Sequence, residues 1–143
     1  MRIVREKTQS YHVSLQREGE LHALAEAHGH TLRLGVHRGD PEAGFNAAET
    51  LMAALGACLM TNINSMAASM HLQIDDARIE INGVRRSDPP ALITLEYELI
   101  LTSPEPEEKL AALHEKAVKW GTVTNTLIDG VWPEGVLRVE RAD

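Results

Sequence analysis

Hydrophobic and polar positions alternate in three short runs early in the chain. Tyr11-His-Val-Ser-Leu-Gln16 and Thr31-Leu-Arg-Leu-Gly-Val-His37 follow a strict strand period, and Glu20-Leu-His-Ala-Leu-Ala-Glu26 follows it less cleanly. Alternation sends successive side chains to opposite faces, so these runs predict a meander of half-buried strands. Gly39-Asp-Pro-Glu-Ala-Gly-Phe-Asn46 then gathers loop formers, and Asn46 with Glu49 has the spacing of a capping box at a helix start. From Ala47 to about His71 the pattern becomes helical. Leu51, Leu55, Cys58, Asn62 and Met66 form one row, and Met52, Leu59, Ile63, Met66 and Met70 form another beside it. Two adjacent rows predict a helix buried by contacts on more than one side.

Alternation returns in Ala77-Arg-Ile-Glu-Ile-Asn-Gly-Val84 and Ile93-Thr-Leu-Glu-Tyr-Glu-Leu-Ile-Leu101, with Ile79, Ile81, Leu95, Tyr97, Leu99 and Leu101 on the inward side. Arg86-Ser-Asp-Pro-Pro90 separates them. Ser103-Pro-Glu-Pro-Glu-Glu108 carries the hydroxyl, prolines and acids of a helix start, and Leu110, Leu113, Ala117 and Val118 give the helix over 107–119 an apolar face. It ends near Trp120-Gly121. Thr122 to Gly130 reads as a short helix or turn and Val136 to Glu140 as a last strand, with Trp120 and Trp132 packed around the Gly121 segment. Strands in neighbouring runs, rather than in regular alternation with helices, predict an α+β fold with antiparallel pairing. A doubly wound dinucleotide fold is disfavoured because no glycine fingerprint follows a strand. Neither a linker nor an internal repeat divides the chain, so residues 1–143 read as one domain.

Composition narrows the function. With 143 residues, 43% of them apolar, the chain suffices for a real core, and a net charge of −7 argues against nucleic acid, whose phosphates need a basic face. Met1-Arg-Ile-Val-Arg-Glu6 lacks the apolar segment of a secretory leader, which makes the cytoplasm the expected location. Thr50 to Ile74 contains no charged residue and is long enough to raise a membrane span. However, Thr61, Asn62, Asn64, Ser65, Ser69, His71 and Gln73 would be costly in hydrocarbon, so the stretch reads as a core helix and no membrane partner is expected. Cys58 is the one cysteine, which excludes an intrachain disulfide and would leave a zinc site to histidines and carboxylates. The His28-Gly-His30 spacing is the best place to look for such a site, but hairpin histidines are usually just exposed; neither a metal nor a cofactor is expected.

Gly44-Phe-Asn-Ala-Ala-Glu-Thr-Leu-Met-Ala-Ala-Leu-Gly-Ala-Cys-Leu59, together with Lys119-Trp-Gly-Thr-Val-Thr-Asn-Thr-Leu127, resembles the OsmC/Ohr superfamily of organic hydroperoxide reductases. The element order fits that family over essentially the whole chain. The resemblance implies an N-terminal antiparallel meander, a long buried central helix, further strands and a second helix, assembled as an intertwined homodimer. The helix over 107–119 argues against a hot-dog-like thioesterase or dehydratase, whose order continues with strands after the long central helix.

The chemistry that the resemblance implies uses a peroxidatic cysteine on the long helix and a resolving cysteine downstream. Cys58 matches the first. Aligning Val123, Asn125, Thr126 and Leu127 puts Gly121 at the second, with Thr122 in place of the usual proline, so a two-cysteine cycle is excluded within one chain. A sulfenic acid formed at Cys58 would need an external thiol or dithiol, or the Cys58 of a dimer mate, for its reduction. A peroxidatic thiol also needs a positive neighbour. Arg17 is the best positional match for the family arginine, with Arg33 and Arg38 competing. Glu49 is the candidate acid that orients it, although it lies one residue from the position used in Ohr-type members and serves equally as a helix cap. The resulting expectation is an OsmC-like redox or stress protein acting as a one-cysteine, thiol-dependent hydroperoxide reductase through Cys58, Arg17 and Glu49. The alternative is a catalytically inactive binder of a small apolar molecule, or a redox sensor.

Overall fold

The computed structural model describes residues 6–142. Apart from Glu6, the stretch read above for a secretory leader lies outside the described residues. The elements run β1 (Ser14–Glu18), β2 (His22–Ala27), β3 (His30–Gly35), a single 3-10 turn at Pro41–Ala43, α1 (Ala47–Ser69), β4 (Asp76–Ser87), β5 (Pro90–Thr102), α2 (Glu107–Lys119) and α3 (Thr122–Asp129). This is the expected α+β order with a meander, a long helix, a strand pair and further helices. The chain resolves into two compact units, one ending at Leu51 and the other beginning at Met52.

In the first unit, β1, β2 and β3 form an antiparallel sheet in that order. Leu15 lies opposite Ala25, which lies opposite Leu32; Arg17, Ala23 and Leu34 form the next such row. Directly opposed residues share a face, so these six side chains stand on one side of the sheet. Ala23 and Ala25 are its buried members. The β2–β3 turn consists of His28 and Gly29, with φ of 52° and 80°, the left-handed pair that a tight hairpin requires. The Gly29 N–H donates to Glu26 Oε1 at 2.9 Å. The His28-Gly-His30 spacing is thus a consequence of turn geometry.

The predicted capping box forms in full. The Glu49 N–H donates to Asn46 Oδ1 at 2.8 Å and the Asn46 N–H to Glu49 Oε1 at 3.1 Å, satisfying donors that a helix start leaves open. This fixes where α1 begins.

In the second unit, β4 and β5 pair along nearly their whole length, and the proline-containing separator shrinks to a tight turn. Their half-buried residues alternate as expected, including Ile79, Ile81, Leu95, Tyr97, Leu99 and Leu101. α1 approaches this hairpin closely at Gly56, where a Cβ would stand 3.2 Å from Ile81 Cδ1. Ile63 and Ala67 of α1 meet Leu113 and Ala117 of α2 in a fully closed cluster, flanked by Met66, Met70, Leu72, Ile74, Leu99, Leu101 and Leu110. Asn62, one of the residues too polar for hydrocarbon, donates through Nδ2 to the Ala117 carbonyl at 3.0 Å. By length and composition α1 could cross a membrane, but here it is a helix with a packed face. The apolar rows merge into one stripe through Leu55, Leu59, Ile63 and Ala67, while Ala53, Ala57, Thr61, Asn64, Ser65 and Ala68 stay exposed. Among the described residues α1 is thus contacted by the hairpin and by α2, as two apolar rows require, and its remaining side stays uncovered.

Two local expectations are corrected. Val136 to Glu140 forms no strand: residues 131–142 carry no regular structure, and Val136 is fully exposed. A strand exists only where a neighbour accepts its ladder, and within the described residues nothing pairs with this one. Trp120 and Trp132 do not pack around Gly121 but stand 66% and 86% exposed.

Candidate functional site

Cys58 lies on α1, three residues after Leu55 and one before the fully buried Leu59, which places it at the edge of the packed stripe. Its thiol is free and half-buried. The helical phase that aligns Cys58 with Leu55 and Asn62 turns it toward the segment joining α2 to α3. A Cβ built on Gly121 would stand 3.2 Å from Cys58 Sγ. Gly121 is buried and is the N-cap of α3, with φ −82° and ψ 121°, a conformation open to any residue. What makes the position special is the close approach of its neighbours. Besides the sulfur, Thr124 Oγ1 would lie 2.7 Å and Thr124 Cβ 3.1 Å from that Cβ.

Positions 58 and 121, which the sequence pattern paired only by analogy, are thus brought face to face. The separation is that of disulfide-bonded partners, since an S–S bond near 2.04 Å sets each Cβ about 3 Å from the opposite sulfur. This chain has a hydrogen atom where a resolving cysteine would project. Thr124 Oγ1 is shielded from solvent and has no hydrogen-bond partner among the described residues. It was not among the residues singled out from the sequence. Its only signal there is its place three residues after Gly121, which means nothing until α3 forms.

Arg17 and Glu49 belong to the first unit, and Cys58 to the second. Arg17 stands on the face of the meander that also carries Leu15, Ala23, Ala25, Leu32 and Leu34, and it makes no ion pair among the described residues. Arg33 stands on the opposite face, where its Nε meets Glu18 Oε1 at 3.1 Å. Register therefore separates these competitors: one cation lies among apolar groups and the other is tied to a surface carboxylate. Glu49 Oε1 accepts the Asn46 N–H described above, so its assigned bond is that of a cap. Arg38 is exposed in the loop before the 3-10 turn.

Elsewhere, a cavity of about 280 Å³ opens on the β4–β5 hairpin, lined by Glu80, Asn82, Glu96, Tyr97 and Glu98. Cys58 is not among its lining residues. Tyr97 shares a 2.6 Å hydrogen bond with His114 Nε2, their rings meeting edge to face, and burial raises the Tyr97 phenol above its ordinary 10.0. Among the described residues, no group of three or more histidines, cysteines or carboxylates is placed to hold a metal ion.

Comparison with known proteins gives the fold a family. A model of the family described as OsmC-like protein matches residues 39–134, and the chain belongs to that family. No curated protein matches its sequence. Among solved structures, an OsmC-like protein from Mycoplasma pneumoniae superposes with a TM-score of 0.79 at 20% identity, covering 87% of this chain and 91% of that one. An organic hydroperoxide resistance protein OsmC of Legionella pneumophila gives 0.62 at 17% identity, covering 85% and 91%. The organic hydroperoxide resistance protein OhrB of Bacillus subtilis gives 0.59 at 14% identity, covering 85% and 93%. At these identities the likeness is one of fold.

Proposed function

We propose that this OsmC-like redox protein is a one-cysteine, thiol-dependent hydroperoxide reductase. The observation that carries the reading is the half-buried free thiol of Cys58, held on a packed helix with its sulfur against the buried backbone of Gly121. The thiolate attacks the distal oxygen of a small organic hydroperoxide. An S–O bond forms, the O–O bond breaks, and the alkoxide leaves as an alcohol once protonated, leaving Cys58 as a sulfenic acid. An external thiol then displaces water to give a mixed disulfide, and a second thiol equivalent returns Cys58 to its reduced form. Arg17, which makes no ion pair among the described residues, is the arginine proposed to stabilise the thiolate and the departing alkoxide. Glu49 would steady that arginine only by giving up its cap.

The reductase acts as a homodimer in the cytoplasm. Exposed Leu15 and Leu32 on the meander, the unburied side of α1 and the apolar, unpaired segment around Val136 supply the surface for a second copy. The specific feature that favours a sensor instead is Gly121: with no sulfur there, oxidised Cys58 persists until an outside thiol arrives. Consumption of cumene hydroperoxide, followed with a small monothiol or dithiol as reductant, separates the readings. The reductase is expected to turn over repeatedly and Cys58→Ser to lose at least about a thousandfold, the scale of losing an essential nucleophile. Stoichiometric oxidation without turnover would leave the sensor; no oxidation of Cys58 would overturn both.

A further inference from the structure

The last turn of a helix leaves its carbonyls without partners from the helical ladder, so each must find one elsewhere. In α2 every one of them can be followed. The Trp120 N–H donates to the Lys116 carbonyl at 3.1 Å and the Gly121 N–H to the Val118 carbonyl at 3.2 Å. The Lys119 carbonyl accepts from Asn125 Nδ2 at 3.1 Å, a side chain of α3 turned back on the corner. The Ala117 carbonyl would ordinarily accept from Gly121, but the last turn tightens and sends that N–H to Val118 instead. Its partner comes from another helix: Asn62 Nδ2 of α1 donates to it at 3.0 Å.

The position of that bond ties it to Cys58. Asn62 lies one turn beyond Cys58 on the same side of α1, and Ala117 lies one turn before Gly121, whose backbone stands against Cys58 Sγ. Two contacts a turn apart therefore join α1 to the end of α2. Among the described residues the Asn62 bond is the only hydrogen bond between the two helices. The apolar core anchors α2 as far as Ala117. Beyond it the corner has little of its own to hold it: Trp120 is exposed, Gly121 has no side chain and α3 buries no residue. Yet the corner is close-packed on the sulfur, with Thr124 crowded behind Gly121.

We propose that Asn62 is a positioning residue for Cys58: by holding the Ala117 carbonyl it keeps the α2–α3 corner seated on the sulfur and sets how freely a reagent reaches the thiol. This rests on the proposed chemistry of Cys58 and adds the residue that governs access to it. Asn62 touches no reacting atom. Its amide donates to the carbonyl without bringing a charge beside the thiol. Without that donor the part-buried carbonyl is left unpaired, which is unfavourable, and it regains a partner by turning out to water. Such a movement carries Gly121 away from the sulfur.

The test follows full-length protein reacting with dithiodipyridine, an uncharged aromatic disulfide that releases a coloured thione as it meets the single thiol. Asn62→Leu, close in shape but without a donor, is expected to react about fivefold faster than wild type, the scale of one hydrogen bond. Asn62→Gln, which keeps the amide, should recover most of the wild-type rate. Asn62→Ala serves in place of leucine if the larger apolar group disturbs folding, as judged by circular dichroism. Tyr97→Phe removes the bond that ties α2 to β5 through His114, away from the corner, and should leave the rate unchanged. A merely structural role would accelerate the variants in proportion to the stability each loses in urea. Equal rates in wild type and the donor-less variants, or equal acceleration by Tyr97→Phe, would overturn the inference while leaving Cys58 chemistry standing. Treating wild type with cumene hydroperoxide and weighing the chain tests the underlying reading separately: no oxidation of Cys58 would overturn the reductase, and the exchange rates would still decide the role of Asn62.

Discussion

The β1–β2–β3 meander and the β4–β5 hairpin are both antiparallel and follow the same alternation, yet they bury very different things. The hairpin, with α1 and α2, encloses Leu59, Ile63 and Leu113 completely. The meander buries only Ala23 and Ala25, and leaves Leu15 and Leu32 60% and 64% exposed on the same face. Alternation thus reports that a face is apolar without reporting what covers it. In the second unit the cover is the chain's own helices. For the meander's apolar face, the proposed second copy supplies what α1 and α2 supply to the hairpin.

Three substitutions would break or sharpen that contrast. Leu113→Ala is expected to have the largest effect, about 2–5 kcal/mol of lost stability in urea unfolding, because it opens a cavity in a site that is fully closed. Leu32→Glu should leave the helical circular dichroism intact while raising the dimer dissociation constant at least about tenfold in sedimentation, roughly 1.4 kcal/mol. Unchanged association would mean that the meander face is not the interface. Tyr97→Phe is the mildest, removing the bond to His114 at a cost of about 1 kcal/mol. Burial raises the Tyr97 phenol, so the native state holds that proton more tightly than the unfolded chain. The associated stability is fully present below pH 10.0 and is lost as pH rises through the native value. The wild type should therefore lose stability above that pH more steeply than the phenylalanine variant, as read from melting temperature against pH.

Much of the fold was legible because its signals are local. Asn46 and Glu49 mark the start of α1 by hydrogen bonds that need nothing beyond four consecutive residues. The strand runs and both later helices follow from side-chain period and from turn residues. The site was legible in part: the motif pairing of Cys58 with Gly121 matches their closeness in space. The faces on which Arg17 and Arg33 stand were not, because both sit in alternating segments and only cross-strand register tells which neighbours each shares. Thr124 was invisible for a related reason. Its hydroxyl becomes an orphan only when α3 begins at Gly121 and closes over it.

Val136 to Glu140 marks the limit from the other side. The residues have the pattern of a strand, but a strand is a relation between segments, and in this chain the described residues offer no neighbour. The exposed Trp120 and Trp132 repeat the lesson with side chains. By itself, then, the sequence determined most of the elements, the start of the long helix and the single thiol, since side-chain period, composition and hydrogen bonds between near neighbours settle these. Only the tertiary structure decided that Cys58 faces the bare backbone of Gly121 beside an unsatisfied hydroxyl. That arrangement depends on how α1, α2 and α3 close on one another, and distances between segments far apart in the chain are products of packing.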